Sequence, residues 1–280
     1  MFYLICFIIL LILAVLNIQL HDKLSSQLLS ILAAIILVCI AGLRYETGGD
    51  WDTYTILFNS FPPLSRLLGH PSELMDVSVE EGFVLLNALI KSLGGNVQHL
   101  FFVVTTINIL LITCVLPKYT KYPVVALMCY YGILYFNLEM IYIRQATAVA
   151  MCFFAIQFIK SKKIVWYMLI IVLACTFHRV AALMIPLYFV LDRQFSVWLH
   201  LAIVGVGAIV MIIGIPWIQS IFVTVAGWLG ENYADKAQMY TENALFAVNR
   251  GFSIGFLLNL GIFIIVMFFK QKIDELPFGT

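Results

Sequence analysis

The sequence predicts an all-α protein threaded several times through a membrane, and three observations predict it. Of its 280 residues, 63% are hydrophobic and only 11% are charged, and the mean hydropathy is +1.02, well outside the range of soluble domains. The apolar residues fall into runs of about 20, the length of one helical crossing of a bilayer. No long polar segment carries a helix or strand pattern with a core of its own. The chain therefore reads as a single integral membrane domain over residues 1–280, with long outer segments at 44–98 and 215–250.

Phe2–Leu20 and Leu24–Leu43 are the first two spans, joined by His21-Asp22-Lys23. The N-terminus lacks a basic leader and a small-residue cleavage site, so Met1–Leu20 is expected to stay in place as a span. A polar segment then runs from Arg44 to about Gln98. Within it, Glu80–Lys91 predicts an amphipathic helix lying along the membrane surface. Phe83, Leu86, Leu89 and Ile90 make its apolar face, and Gly94-Gly95 end it. Further spans follow at His99–Leu116 and Val124–Leu138. After a polar break at Asn137–Gln145, another helix runs to Ile159.

Ile164–Leu191 is too long for one crossing, about 42 Å at 1.5 Å per residue against about 30 Å of hydrocarbon. His178-Arg179 lies at its middle, where charge is costly unless it faces a cavity. A break there, with a pair of short helices meeting at the outer side, relieves both problems. Phe195–Ile213 and Phe252–Phe269 bring the total to about 8–9 spans. Between them Ile215–Arg250 carries Trp217, Phe222, Trp228, Tyr233 and Tyr240, which suit an interface belt. The chain shows no internal repeat and no low-complexity tract.

A net charge of +1 gives no reason to expect nucleic acid as a partner. The six cysteines all lie in apolar runs without CxxC pairs, so they read as small hydrophobes. There is no P-loop and no GxGxxG. Neither a cofactor nor a metal is expected, and energy must come with the substrate or from an ion gradient.

Orientation follows from the bases. With the short loops inside, that side collects Lys23, Lys118, Lys121, Lys160, Lys162, Lys163, Arg193, Lys270 and Lys272, and both long segments fall outside. Inside, the bases are lysines except Arg193. Outside they are mostly arginines: Arg44, Arg66, Arg144, Arg179 and Arg250, beside Lys91 and Lys236. Topology does not require arginine outside. Phosphate recognition does, because the guanidinium fork binds phosphate oxygens bidentately and stays charged in a low-dielectric site. The structural alternative is that these arginines pair with the outer acids.

The candidate site residues lie in four places. Arg44-Tyr-Glu-Thr-Gly-Gly-Asp-Trp-Asp-Thr-Tyr54 packs charges and two glycines directly after a span; Gly48-Gly49 permits a positive-φ turn that holds Asp50 near Arg44. Glu80-Glu81 opens the surface helix, where the dipole alone explains one carboxylate. Arg144 and Gln145 open a helix whose Ala146 and Ala150 form a small-residue packing face. An arginine there opposes the dipole, so it needs a partner, either the nearby Glu139 or a bound anion; the bland reading is snorkelling to the interface. His178 is a candidate general base, against the structural role a lone histidine more often has. Arg250 is either an interface anchor or a phosphate contact.

The order Arg44…Gly49-Asp50…Tyr54, Glu81-Gly82-Phe83, Ile143-Arg144-Gln145 and Phe177-His178-Arg179…Ala182-Leu183 resembles the EpsG-like family of bacterial inner-membrane proteins. These are of the Wzy type, O-antigen and exopolysaccharide polymerases. The resemblance runs from about Arg44 to Leu191. Trp51-Asp52 is more charged than the family pattern at that point. The chain also ends soon after its last span, at Pro277-Phe-Gly-Thr280, which is short for the family and leaves room for a further span or two.

The resemblance implies a multi-pass protein of the bacterial inner membrane with its active face in the periplasm. There it would join oligosaccharide repeat units carried on undecaprenyl diphosphate. Asp50, Glu81 and His178 are then the catalytic candidates. Arg44, Tyr54, Arg144, Gln145, Arg179 and Arg250 are the substrate-binding ones. The expected partners are the undecaprenyl-diphosphate-linked oligosaccharide, membrane lipid and a chain-length regulator protein. A transporter or flippase of the lipid-linked sugar is a rival, but it would be expected to carry charges in mid-span, whereas these cluster at the outer surface. A membrane acyltransferase would want a cytoplasmic thioester site. An O-antigen ligase shares nearly every feature.

Overall fold

The computed structural model describes residues 1–20, 22–70, 79–191, 193, 195–213, 223–228, 235, 238 and 254–269. Among them the chain is helical and contains no strand. It divides into two units, Met1–Asp192 and Arg193–Thr280. Arg250 and most of the aromatic 215–250 segment lie outside the described residues.

The first unit opens with two long apolar helices, α1 (Phe2–Gln19) and α2 (Lys23–Gly42). Asp22 caps α2 by accepting from the Ser25 amide at 2.7 Å. Two shorter helices follow, α3 (Trp51–Ser60) and α4 (Leu64–Gly69), in a stretch that reads as a polar loop from sequence. After α5 (Glu81–Ser92) come α6 (Val97–Tyr119), α7 (Pro123–Met140) and α8 (Ile143–Lys160). Among the described residues of this unit five helices, α1, α2, α6, α7 and α8, are long and apolar enough to cross a membrane.

The expected break near His178 is present. Helix α9 (Ile164–Cys175) stops, His178 is extended at φ −158° and ψ 112°, and a 3-10 turn, Arg179–Met184, leads into α10 (Leu187–Val190). In the second unit α11 (Val197–Ile213) and α12 (Ile254–Phe268) are apolar helices of 17 and 15 residues. An all-α polytopic membrane protein is the result.

Two apolar cores hold the first unit. One lies among α1, α2, α6 and α7, around Leu10, Ala33, Leu37, Ile109 and Tyr135. The other joins α3, α5, α6, α8 and α9, around Tyr54, Phe83, Phe101, Ala148 and Ile171. Small residues set the approach: Ala146 and Ala150 on α8 are both buried, as their spacing predicts. Asn17 donates to Ser26 Oγ at 2.9 Å and accepts the Val124 amide, tying three helix ends together.

One expectation is corrected here. The buried face of α5 is Phe83, Val84, Asn87, Ala88 and Ile90, while Leu89 is 44% exposed. The helix packs against both α4 and α6, so its covered arc is rotated from the one its largest side chains suggest. Its end is as expected: Gly94 takes φ +78° and the Gly95 amide closes on Ile90 O at 2.9 Å.

Candidate active site

The end of α2, the start of α6, the break between α7 and α8, and the break after α9 come together at one end of the first unit. Gln98 of α6 donates to Gly42 O at 2.7 Å, closing α2 onto α6. The next residues, 44–50, turn over the end of α7. Gly48 makes that possible: it sits at φ +106°, and a Cβ there would collide with Met140 O. The turn thus docks by backbone contact, not by a side chain.

Arg44 goes under the turn, not out of it. It is 5% exposed, its guanidinium carbon lies 4.2 Å from the centroid of the Phe101 ring, and Nη1 donates to Glu139 O. That carbonyl belongs to the last turn of α7, where the ladder ends and acceptors are left over. Burial lowers the Arg44 pKa to about 10, with Glu139 pulling the other way, so it stays cationic at neutral pH.

Glu139 is fully buried and shares its two oxygens between Tyr130 Oη, at 2.7 Å, and Asn108 Nδ2, at 3.0 Å. The sequence offers Glu139 as the partner of Arg144. The structure instead turns Glu139 into the interior and gives Arg144 to Glu80.

Glu80 is the centre of the cluster. It occupies the N-cap position of α5, yet makes no side-chain cap bond. Its carboxylate reaches away from its own helix, one oxygen accepting from Arg144 Nη1 and the other facing His178 Nδ1 at 3.4 Å. Beside it, Arg179 Nη2 donates to Glu81 Oε1 at 3.0 Å. Burial opposes ionisation of Glu80, but the His178 hydrogen bond and the Arg144 charge outweigh it and hold its carboxyl at about 2. A carboxylate so held is charged at any physiological pH.

The break after α9 delivers His178 to this point because α5 docks on it through backbone. The Gly82 amide donates to Thr176 O at 2.8 Å, and a Cβ on Gly82 would run into the Thr176 side chain. Gly82→Ala is therefore expected to push α5 off the break and destabilise the unit by about 1–3 kcal/mol, the usual cost of overpacking. A thermal-unfolding midpoint in detergent equal to that of the parent protein would count against this docking.

Tyr54 completes the cluster. It is 4% exposed, packs edge-on against Phe83 at 5.8 Å, and its hydroxyl hydrogen-bonds with Arg144. Burial pushes its phenol up, with Arg144 opposing. Asp50 lies one turn earlier, at the start of α3, with its carbonyl accepting the Tyr54 amide at 3.0 Å. Gln145 and His178 face a common groove. The described candidates thus form a series Tyr54–Arg144–Glu80–His178, flanked by Glu81–Arg179, with Asp50 one turn before Tyr54 on α3 and Arg44 buried on the Phe101 ring that Tyr54 also packs against. Glu80 is the residue that sequence reasoning passed over in favour of Glu81. Its signal was the adjacency of two carboxylates before a helix that needs only one.

A helical, multi-pass membrane protein with a cation–carboxylate–histidine cluster at one end of its bundle is the class these features define. The family model of the EpsG family matches residues 27–278, nearly the whole chain, and the chain belongs to that family, a family of Wzy-like polysaccharide polymerases. No curated protein and no solved structure matches it.

Proposed function

We propose that the protein polymerises oligosaccharide repeat units carried on undecaprenyl diphosphate, at the periplasmic face of the bacterial inner membrane. The observation that carries this reading is the Glu80 carboxylate shared between Arg144 and His178. It gives one centre both a cation for a leaving diphosphate and an oriented base for an attacking hydroxyl. The short loops collect more of the lysine and arginine than the long segments do, and the positive-inside rule then favours the periplasmic side for the long segments.

In the reaction, the bond between the donor sugar's anomeric carbon and its phosphate breaks, and the electron pair leaves with the lipid diphosphate. An acceptor hydroxyl forms the new glycosidic bond and gives its proton to His178 Nε2. Glu80 at Nδ1 fixes the ring and balances the imidazolium. As His178 gains charge it draws on the shared carboxylate, leaving Arg144 less neutralised just as charge builds on the leaving group. Arg179, half exposed beside Glu81, supplies a second cation, and Tyr54 supports Arg144 from below. Asp50 is the other group able to take the proton. The lipid diphosphate itself supplies the driving force, in keeping with the lack of nucleotide motifs. A chain-length regulator protein is a further partner of this reading.

The deciding experiment is a glycan ladder from cells lacking the protein. Loss of a polymerase leaves single repeat units on the final acceptor, and restoring the gene restores the ladder. If no glycan at all is attached in its absence, the protein is a ligase; if lipid-linked units pile up on the cytoplasmic side, it is a flippase.

A further inference from the structure

The other end of the first unit holds a cavity that the charged cluster does not touch. Helix α2 begins at Lys23 and ends at Gly42, α6 runs back from Val97 to Tyr119, and α7 begins at Pro123. The α1–α2 and α6–α7 connections therefore meet at the face opposite Arg144 and His178. Between them lies a cavity of about 560 Å³, within the usual size of a ligand site. Its walls are polar: Lys23, Ser26, Gln27, Thr120 and Lys121 line it, with the buried Asn17 and Ser30 behind them. The two lysines differ from the cations elsewhere in the unit. Arg144 and Arg179 are paired with Glu80 and Glu81, and Lys118 donates to Gln157 Oε1. Among the described residues Lys23 and Lys121 make no ion pair. The one carboxylate among the described lining residues, Asp22, accepts the Ser25 amide as the cap of α2. A lysine needed only as a topology signal has no reason to line a cavity. Two of them here, from different connections, need an anion.

We propose that this cavity binds the headgroup of an anionic glycerophospholipid of the phosphatidylglycerol kind, with its phosphate between Lys23 and Lys121 and its glycerol hydroxyls towards Asp22, Ser26 and Gln27. An ammonium group on a flexible stem binds phosphate as a point charge, so two of them can close on one phosphate from opposite sides. Basic pockets between membrane helices recognise anionic heads in this way. A zwitterionic head would bring its own cation against the lysines. The rim of the cavity says that the phosphate comes with acyl chains. Leu20 and Tyr122 at the mouth are 44% and 38% exposed. Ile31 and Ile35, one and two turns beyond Gln27 on the same face of α2, are both 53% exposed. A headgroup in the cavity continues into chains lying along α2, a surface that free phosphate has no use for. The bound lipid bridges the same two connections that Asn17 joins through Ser26 and Val124. The site uses no residue of the charged cluster and stands apart from the polymerase reading.

The test uses the full chain in detergent, with phosphatidylglycerol and phosphatidylethanolamine of identical acyl chains as probes, and native mass spectrometry to count the lipid retained. One phosphatidylglycerol is expected to stay bound and to raise the thermal-unfolding midpoint, as a ligand of the folded state does, while phosphatidylethanolamine does neither. Lys23→Gln/Lys121→Gln is expected to weaken phosphatidylglycerol binding roughly 30-fold, the combined attraction of two lysines for an anionic head. Lys163→Gln, at the same end but outside the cavity, should leave binding unchanged. Gln27→Trp fills the cavity from an exposed wall and keeps both lysines. It is expected to remove the retained lipid, and it decides the matter if the lysine pair proves necessary for folding. Equal retention of phosphatidylethanolamine overturns the proposal, as does phosphatidylglycerol held undiminished by both cavity variants. If millimolar inorganic phosphate displaces the lipid and reproduces its stabilisation, the cavity is a free-phosphate site and the lipid assignment falls.

Discussion

Replacing His178 by alanine is expected to lower polymer synthesis by about 10²–10⁴-fold, the share a positioned general base contributes, with the protein still present in the membrane. The fold tolerates the change because the break is held by backbone: the His178 amide donates to Ala174 O at 2.9 Å and its carbonyl accepts the Ala181 amide at 3.0 Å. What disappears is the ring facing Glu80 at 3.4 Å. Glu80→Gln keeps a hydrogen-bonding group in place but loses the charge that stabilises the imidazolium, so a smaller loss is expected there. Glycan ladders, read at matched protein abundance, measure both. A full ladder in His178→Ala together with none in Asp50→Asn would transfer the base role to Asp50.

Arg144→Ala is expected to cost about 10²–10³-fold, as for removal of one group that stabilises transition-state charge. Arg144→Lys should fall between, since an ammonium keeps the charge without the planar fork. The alanine variant has a second consequence, because it strips a partner from Glu80, whose side chain is 14% exposed, and an uncompensated buried charge is destabilising. The double variant Arg144→Ala/Glu80→Gln separates the two. It removes the orphaned charge but restores no clamp, so synthesis should stay low while the unfolding midpoint recovers. Recovery of polymer in the double variant would sink the clamp.

How much of this was legible in the sequence depends on whether the information is local. The spans were legible because run length and bilayer thickness are matched quantities. The break at His178 was legible because a histidine and an arginine side by side in mid-run leave few alternatives. The turn at Gly48 and the small face of Ala146 and Ala150 were legible for the same reason. Arg44 was not. An arginine after a span reads as an interface residue, and nothing nearby says that its acceptor is a carbonyl 95 residues away. The choice between Glu80 and Glu81 was also invisible. It depends on the rotation of α5, which is fixed by the Gly82–Thr176 contact and by packing against α4 and α6. Helix α3 was missed because Trp51–Ser60 mixes β-branched, aromatic and acidic residues, a poor helical pattern that burial of Tyr54 and Phe58 overrides.

The broken segment has a consequence for the lipid around it. Helix α9 has 12 residues and rises about 18 Å at 1.5 Å per residue, well short of a hydrocarbon core of about 30 Å. Such a shortfall is met by thinning the bilayer or by neighbouring chain, at a fraction of a kcal/mol per ångström. Where α9 meets lipid directly, thinning of the leaflet is expected on the His178 side, so the charged cluster would lie nearer the headgroup depth than the middle of a full-length span does.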